Sequence, residues 1–113
     1  MSCLFCKIVA KEIPATVVVE NEHALAFRDI RPRAPTHVLV IPKKHVTSIA
    51  DATDADGPML GQLLLLARDV AKKEGLDASG YRLAINNGEN AGQSVFHVHV
   101  HVLGGRALGW PPG

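Results

Sequence analysis

The run His97-Val98-His99-Val100-His101-Val102-Leu103 holds three of the chain's six histidines within five residues. In an extended strand successive side chains alternate between faces. That spacing sets His97, His99 and His101 on one side, Val98, Val100 and Val102 on the other, with imidazoles at steps of roughly 7 Å. A helix would spread the same residues over about 200° and keep them from acting together. The valines account for a buried face, whereas a merely solvated opposite face is met more simply by Thr, Lys or Glu. Two chemistries use such a row. Strand histidines two apart can share zinc or iron. Alternatively, an imidazole that is neutral near pH 7 attacks phosphorus and forms a covalent intermediate while its neighbour supplies the acid. The loop just upstream, Gly92-Gln93-Ser94, favours the second, because its backbone N–H groups and hydroxyl can approach an anion.

Cys3 and Cys6, the chain's two cysteines, form a Cys-x-x-Cys pair. A structural disulfide is disfavoured in a cytoplasmic chain. A thioredoxin-like pair follows a strand and opens a helix, which this one, at the start of the sequence, does not. Half a zinc site, lacking two ligands, fits better than two free thiols.

These residues need a scaffold. Thr16–Glu20 and His23–Arg28 read as strands joined by a turn at Asn21-Glu22. Arg31-Pro32-Arg33-Ala34-Pro35 is a loop, since two prolines in four residues leave little room for regular structure. Thr36–Ile41 is a third strand, apolar apart from His37, and Pro42 closes it. The acidic, small-residue stretch 51–57 precedes a helix predicted from Pro58 to Glu74 and stopped by Gly75. Leu60, Leu63, Leu64, Ala67, Val70 and Ala71 form its stripe, Met59 and Leu66 widen it, and Leu65 lies on the far side. So wide an apolar surface suits either deep burial or a subunit interface. Tyr81–Asn87 and Val95–Leu103 complete five strands. Three strands, a long helix and two strands are incompatible with regular βαβ alternation, and predict an α+β fold with a mostly antiparallel sheet.

Composition narrows the function classes. The 113 residues suit a single domain spanning 1–113, and 47% hydrophobic with 20% charged residues excludes a disordered chain. A net charge of +1 gives no basic field for nucleic acid or a membrane surface. The longest apolar run, Leu63 to Ala67, is five residues and cannot span a bilayer. The first residues lack a signal-peptide layout, so a cytoplasmic location is expected.

The segment from Gln93 to Leu103 resembles the signature of the histidine triad (HIT) superfamily. The flanks Ala34-Pro35-Thr36-His37-Val38-Leu39-Val40-Ile41-Pro42-Lys43-Lys44-His45 and Trp110-Pro111-Pro112-Gly113 resemble its Hint branch, the purine nucleoside phosphoramidases. The resemblance runs from Phe5 to Gly113. It implies a HIT-like fold with a five-stranded sheet, one long helix and a short N-terminal helix, the sheet continuing across a homodimer.

The resemblance also implies roles. His99 would attack the α-phosphorus of a purine nucleoside 5′-phosphoramidate and form a nucleotidyl-histidine, from which water releases the nucleoside monophosphate (AMP or GMP). His101 would bind a phosphate oxygen or protonate the leaving amine; relatives that transfer the nucleotide carry Gln there, so hydrolysis is favoured. Ser94, with the backbone of Gly92 and Gln93, and Asn86 would hold the phosphate. Asp29 would accept from the ribose hydroxyls, although it could equally cap a turn. Phe5, Ile8, Phe27, Ile30 and Leu39 would line the base pocket, and His37 would support the triad, of which His97 is the first member. Some relatives complete a zinc site with histidines corresponding to His45 and His97, which implies a structural, non-catalytic zinc at Cys3, Cys6, His45 and His97. Trp110 would reach the partner subunit of the dimer. The competing expectations are a dinucleoside polyphosphate hydrolase of the Fhit-like branch and a nucleotide-binding or partner-binding module with vestigial activity.

Overall fold

Antiparallel pairing accounts for every strand of the sheet seen in a computed structural model, which describes residues 3–113. In chain order the elements are α1 (Leu4–Val9), β1 (Val17–Glu20), β2 (Ala24–Arg28), β3 (Thr36–Pro42), α2 (Gly57–Lys73), β4 (Tyr81–Ala84) and β5 (Val100–Gly104). Short 3-10 turns at Asp54–Asp56 and Glu89–Ala91 precede α2 and β5. The strand order is β1-β2-β3-β5-β4, so β5 inserts between β3 and β4. This is the expected α+β architecture. No helix among the described residues is long and apolar enough to cross a membrane.

The period-2 alternation sorts side chains into two apolar clusters, one on each face. Ala24, Ala26, Val38, Val40, Val100 and Val102 face α2 and meet Leu63, Ala67 and Val70. Leu25, Phe27, Leu39 and Ile41 face the other way and pack with Phe5 and Ile8 of α1. Burying each Val or Leu contributes about 1.5–3 kcal/mol, so the α2 layer anchors the sheet and leaves the α1 face available for a site. The α2 stripe is narrower than expected: Leu64, placed in it by periodicity, is half-exposed like Leu65, because the stripe centres on Leu63, Ala67 and Val70.

The histidine row departs from the expectation of one strand over Val95–Leu103. The chain bends at Val95–His97, and β5 begins at Val100. The register places Val40 opposite Val100, so the next partner along β3, opposite Val98, is Pro42, which has no N–H to give. Val98 N–H instead donates to Val46 O at 2.7 Å. The ladder therefore ends, and His97 is released from the face it would share with His99 and His101. β4 is likewise shorter than Tyr81–Asn87, ending at Ala84 opposite His101. His23 precedes β2 in a turn whose N–H groups at His23 and Ala24 are capped by Asn21 Oδ1.

Candidate active site and metal centre

On the α1 face, a chain of hydrogen bonds assigns the tautomers of three imidazoles. Arg33 N–H donates to His37 Nδ1 at 3.0 Å, so the neutral His37 ring carries its proton on Nε2. That N–H donates to His101 Nδ1 at 2.9 Å, which puts the His101 proton on Nε2. His101 Nε2 is buried and has no hydrogen-bond partner among the described residues. His99 is set the opposite way: its Nδ1–H donates to the His97 carbonyl at 2.7 Å, leaving Nε2 with a lone pair. The His99 and His101 rings lie 4.9 Å apart between centroids. One imidazole thus offers a lone pair and its neighbour an N–H.

Burial keeps these rings neutral. It pushes His37 and His99 below the ordinary histidine value. His101 falls to about 4 through burial, then through His99 and His37, partly offset by Asp29. Burial is also the main cause of the lowered value of His97.

His101 sits between two cavities. One, of about 430 Å³, is lined by Phe5, Ile8, Phe27, Asp29, Ile30, Leu39, Ser94, His99 and His101, which brings together nine of the residues expected to hold the nucleotide. Ile30 contributes only an edge, being 93% exposed. Leu4, Ile13, Pro14, Ala15, Val95 and the two arginines Arg28 and Arg31 complete the walls, none of them expected from the sequence. Ile13-Pro14-Ala15 carried only a chain-break signal. The second cavity, of about 710 Å³, is lined by Asn86, Arg33, Arg82, Trp110 and His101 among others. Asn86 therefore lies on the far side of His101 from the first cavity.

Asp29 caps its turn and also lines the first cavity. One carboxylate oxygen caps the turn by accepting from Arg31 N–H at 2.8 Å, while Oδ2 lies 3.5 Å from His37 Nε2. Gly92 and Gln93 line neither cavity. Gln93 is buried as a brace: its Oε1 accepts from Gly88 N–H, and its Nε2 donates to Thr47 O and, at 3.3 Å, to Val95 O. Gly92 has φ +87°, a left-handed value that closes the preceding 3-10 turn and favours glycine. The loop thus shapes the site without presenting those residues to it. Trp110 lies over Arg82 of its own chain, with the guanidinium 5.9 Å from the ring centroid and Arg82 Nη2 donating to Gly109 O.

His97 turns away from this cavity to a separate cluster with Cys3, Cys6 and His45. The four ligand atoms lie within 4.8 Å of one another. Nδ1 of His97 is 3.5 Å from each thiol, while His45 Nδ1 is 3.2 Å from Cys6 Sγ and 3.2 Å from His97 Nδ1. A tetrahedral zinc with bonds of about 2.3 Å to sulfur and 2.0–2.1 Å to nitrogen separates S from N by about 3.6 Å and N from N by about 3.3 Å. The donor set and its spacing fit that ion. His97 Nε2–H donates to Pro42 O at 2.8 Å, turning the Nδ1 lone pair toward the cluster. Burial and the adjacent Cys3 push the Cys6 thiol up, so paired thiolates there call for a cation. Asp29, His37 and His101 are also clustered within 4.8 Å, but the proton on His37 Nε2 occupies the position a metal would need.

Comparison with known proteins agrees with this geometry. Residues 10–108 match the HIT domain family. A protein of Zea mays named 14 kDa zinc-binding protein is 55% identical over 112 residues, covering 97% of this chain and 87% of its own length. The solved structure of a HIT family hydrolase from Legionella pneumophila has a TM-score of 0.97 and 55% identity, covering 99% of this chain and 100% of that one. That of a histidine triad nucleotide-binding protein from Candida albicans has a TM-score of 0.83 and 36% identity, covering 97% of this chain and 83% of that one. The match to the domain family over residues 10–108, with the level of identity to these relatives, establishes that the chain belongs to the HIT, or histidine triad, family.

Proposed function

We propose that this chain hydrolyses purine nucleoside 5′-phosphoramidates at the P–N bond through a nucleotidyl-His99 intermediate. The observation that carries the reading is the opposed tautomers of His99 and His101 at one buried junction. The His99 Nε2 lone pair attacks the α-phosphorus and a P–N bond to His99 forms. The bond to the leaving nitrogen breaks as that nitrogen takes a proton from water, while His101 Nε2–H donates to a phosphoryl oxygen and stabilises the charge growing there. Water then attacks phosphorus and returns a proton to solvent, and the bond to His99 breaks to release the nucleoside monophosphate. His37 holds the His101 tautomer throughout. The base lies in the apolar cavity, the ribose hydroxyls donate to Asp29, Ser94 borders the phosphate, and the leaving group occupies the cavity containing Asn86. The names of the Legionella and Candida proteins, a hydrolase and a nucleotide-binding protein, support this reading.

Cys3, Cys6, His45 and His97 would hold a structural zinc, a reading supported by the name of the maize relative. All four positions of a tetrahedral zinc are then filled, so the ion supplies rigidity and no reaction step. Reduced thiols for that role suit a cytoplasmic location. The chain also works as a homodimer in this reading, joined through the half-exposed Leu64 and Leu65 of α2 and the open edge of β4.

The test is turnover of adenosine 5′-phosphoramidate beside a diadenosine polyphosphate by the same preparation. The reading expects a higher kcat/KM for the phosphoramidate, with AMP as product. Turnover of the dinucleotide alone contradicts it. The cavity wall is mostly apolar, its charged members being Asp29, Arg28, whose guanidinium is held by Glu74, and Arg31 at the rim, so adenine and guanine substrates should differ by no more than about tenfold.

A further inference from the structure

The cysteine–histidine centre and the base-side cavity are built from the same two pieces of chain. The first is α1. Cys3, its N-cap, and Cys6 supply the two sulfurs of the centre, while Leu4, Phe5 and Ile8 of the same helix wall the cavity. A six-residue helix is far below the roughly 12–15 residues that hold together unaided in water. Its terminal backbone bonds, Lys7 N to Cys3 O, Ala10 N to Cys6 O and Glu12 N to Lys7 O, all stay within the segment. What ties α1 to the sheet is the packing of Phe5 and Ile8 and the approach of its two thiols to His45 and His97.

The second shared piece is His97. Its Nδ1 faces the centre, and its backbone carbonyl accepts the His99 Nδ1–H that fixes the nucleophile's tautomer. Phe5 bridges both pieces, with its ring edge-on to His97 at 5.9 Å and to His99 at 5.1 Å. Nothing in that arrangement lets the thiols leave His45 and His97 while the Phe5 wall stays in place.

We infer that metal binding at Cys3, Cys6, His45 and His97 and nucleotide binding in the adjacent cavity are thermodynamically coupled through α1, so that metal occupancy sets nucleotide affinity. This rests on the cavity being the nucleotide site proposed above. With a tetrahedral, thiolate-preferring divalent cation in place, α1 is clamped and the base meets a formed wall. Without it, α1 detaches, and binding must first order the helix again. Coupling of this kind is reciprocal, so a bound nucleotide tightens the metal by the same factor.

The experiment measures AMP binding by calorimetry for zinc-loaded protein, for protein stripped by a chelator, and for the Cys3→Ser/Cys6→Ser double variant. Zinc affinity is measured by chelator competition with and without saturating AMP. The expected result is AMP binding weakened about tenfold in both metal-free forms, with zinc held tighter by the same factor in the presence of AMP. Amide hydrogen exchange provides the structural readout: loss of metal should deprotect Leu4–Val9 while β3 and β5 stay protected. AMP affinity equal within twofold in loaded and metal-free protein overturns the coupling and leaves the nucleotide reading standing. Loss of protection across β3 and β5 together with α1 also overturns it, since the link would then be global unfolding. Failure of zinc-loaded protein to bind AMP overturns both the coupling and the nucleotide reading.

Discussion

At the residue scale, four neutral imidazoles are divided by their hydrogen bonds into different jobs. His99 exposes a lone pair, His101 an N–H, His37 sets the second, and His97 turns its ring to the cysteine cluster while its carbonyl holds the His99 ring. Holding His101 at about 4, well below the histidine value of 6.5, has a cost in stability. Between those values the unfolded chain binds a proton that the folded chain refuses. Stability is thus intact at neutral pH and falls as pH drops from about 6.5 toward 4, by up to about 3 kcal/mol from this group. Urea midpoints at pH 7 and pH 4.5 should fall less for His101→Gln than for the native chain. An equal fall in both would show that His101 titrates normally. The same substitution removes the imidazole N–H that holds the phosphoryl oxygen and should lower kcat about 10²- to 10³-fold. The histidine row and the cysteine pair were legible in the sequence because they are carried by side-chain type, whereas the pocket residues followed only from the family resemblance, since apolar types such as Phe5 and Leu39 suit a core equally well. The donor that sets the His37 tautomer was not, since Arg33 acts through its backbone N–H, which any residue but proline has.

At the element scale, strand alternation foretold the faces of Val100 and Val102 but not the end of the strand. Pro42 sits on the partner strand, so its effect on His97 emerges only once the register of β3 and β5 is known. Gln93 shows the same limit: its backbone was expected to hold phosphate, whereas its N–H donates to Gly88 O within the loop and its side chain braces that loop against Thr47, 46 residues away in sequence. The turn that ends β5 gives a direct test. Gly105 has φ +93°, and a Cβ there would lie 2.8 Å from Pro35 Cβ. Gly105→Ala combines a disfavoured backbone with a clash against the loop leading into β3, and should cost about 2 kcal/mol or more, lowering Tm by roughly 10 °C. An unchanged Tm would mean that this turn relaxes freely.

At the scale of the whole molecule, the two faces of the sheet divide the labour, with α2 supplying the larger apolar layer and α1 closing the working face. The Arg28 guanidinium binds Glu74 at 2.7 and 3.1 Å, joining the end of β2 to the C-cap of α2 across the sheet edge. Near-neutral net charge suits a site whose anion affinity is local. The breadth of the α2 stripe announced two surfaces in one pattern, and periodicity alone did not separate the core-facing Leu63 from the half-exposed Leu64. In the proposed homodimer that outer surface is covered. Sedimentation equilibrium should give twice the mass of one chain, and Leu64→Glu/Leu65→Glu should return it to one while the α2 core remains folded. A native chain that sediments as a monomer at micromolar concentration contradicts the dimer.

The central claim is that His99 carries the nucleotide between two displacements at phosphorus. A rapidly quenched single turnover of adenosine 5′-phosphoramidate, followed by peptide mass mapping, tests it most directly. An adenylyl group should appear on the peptide containing His99, formed and lost at rates consistent with turnover and absent from His99→Ala, which should still bind AMP. Turnover by His99→Ala within twofold of the native chain, or an adduct on another residue, would contradict it.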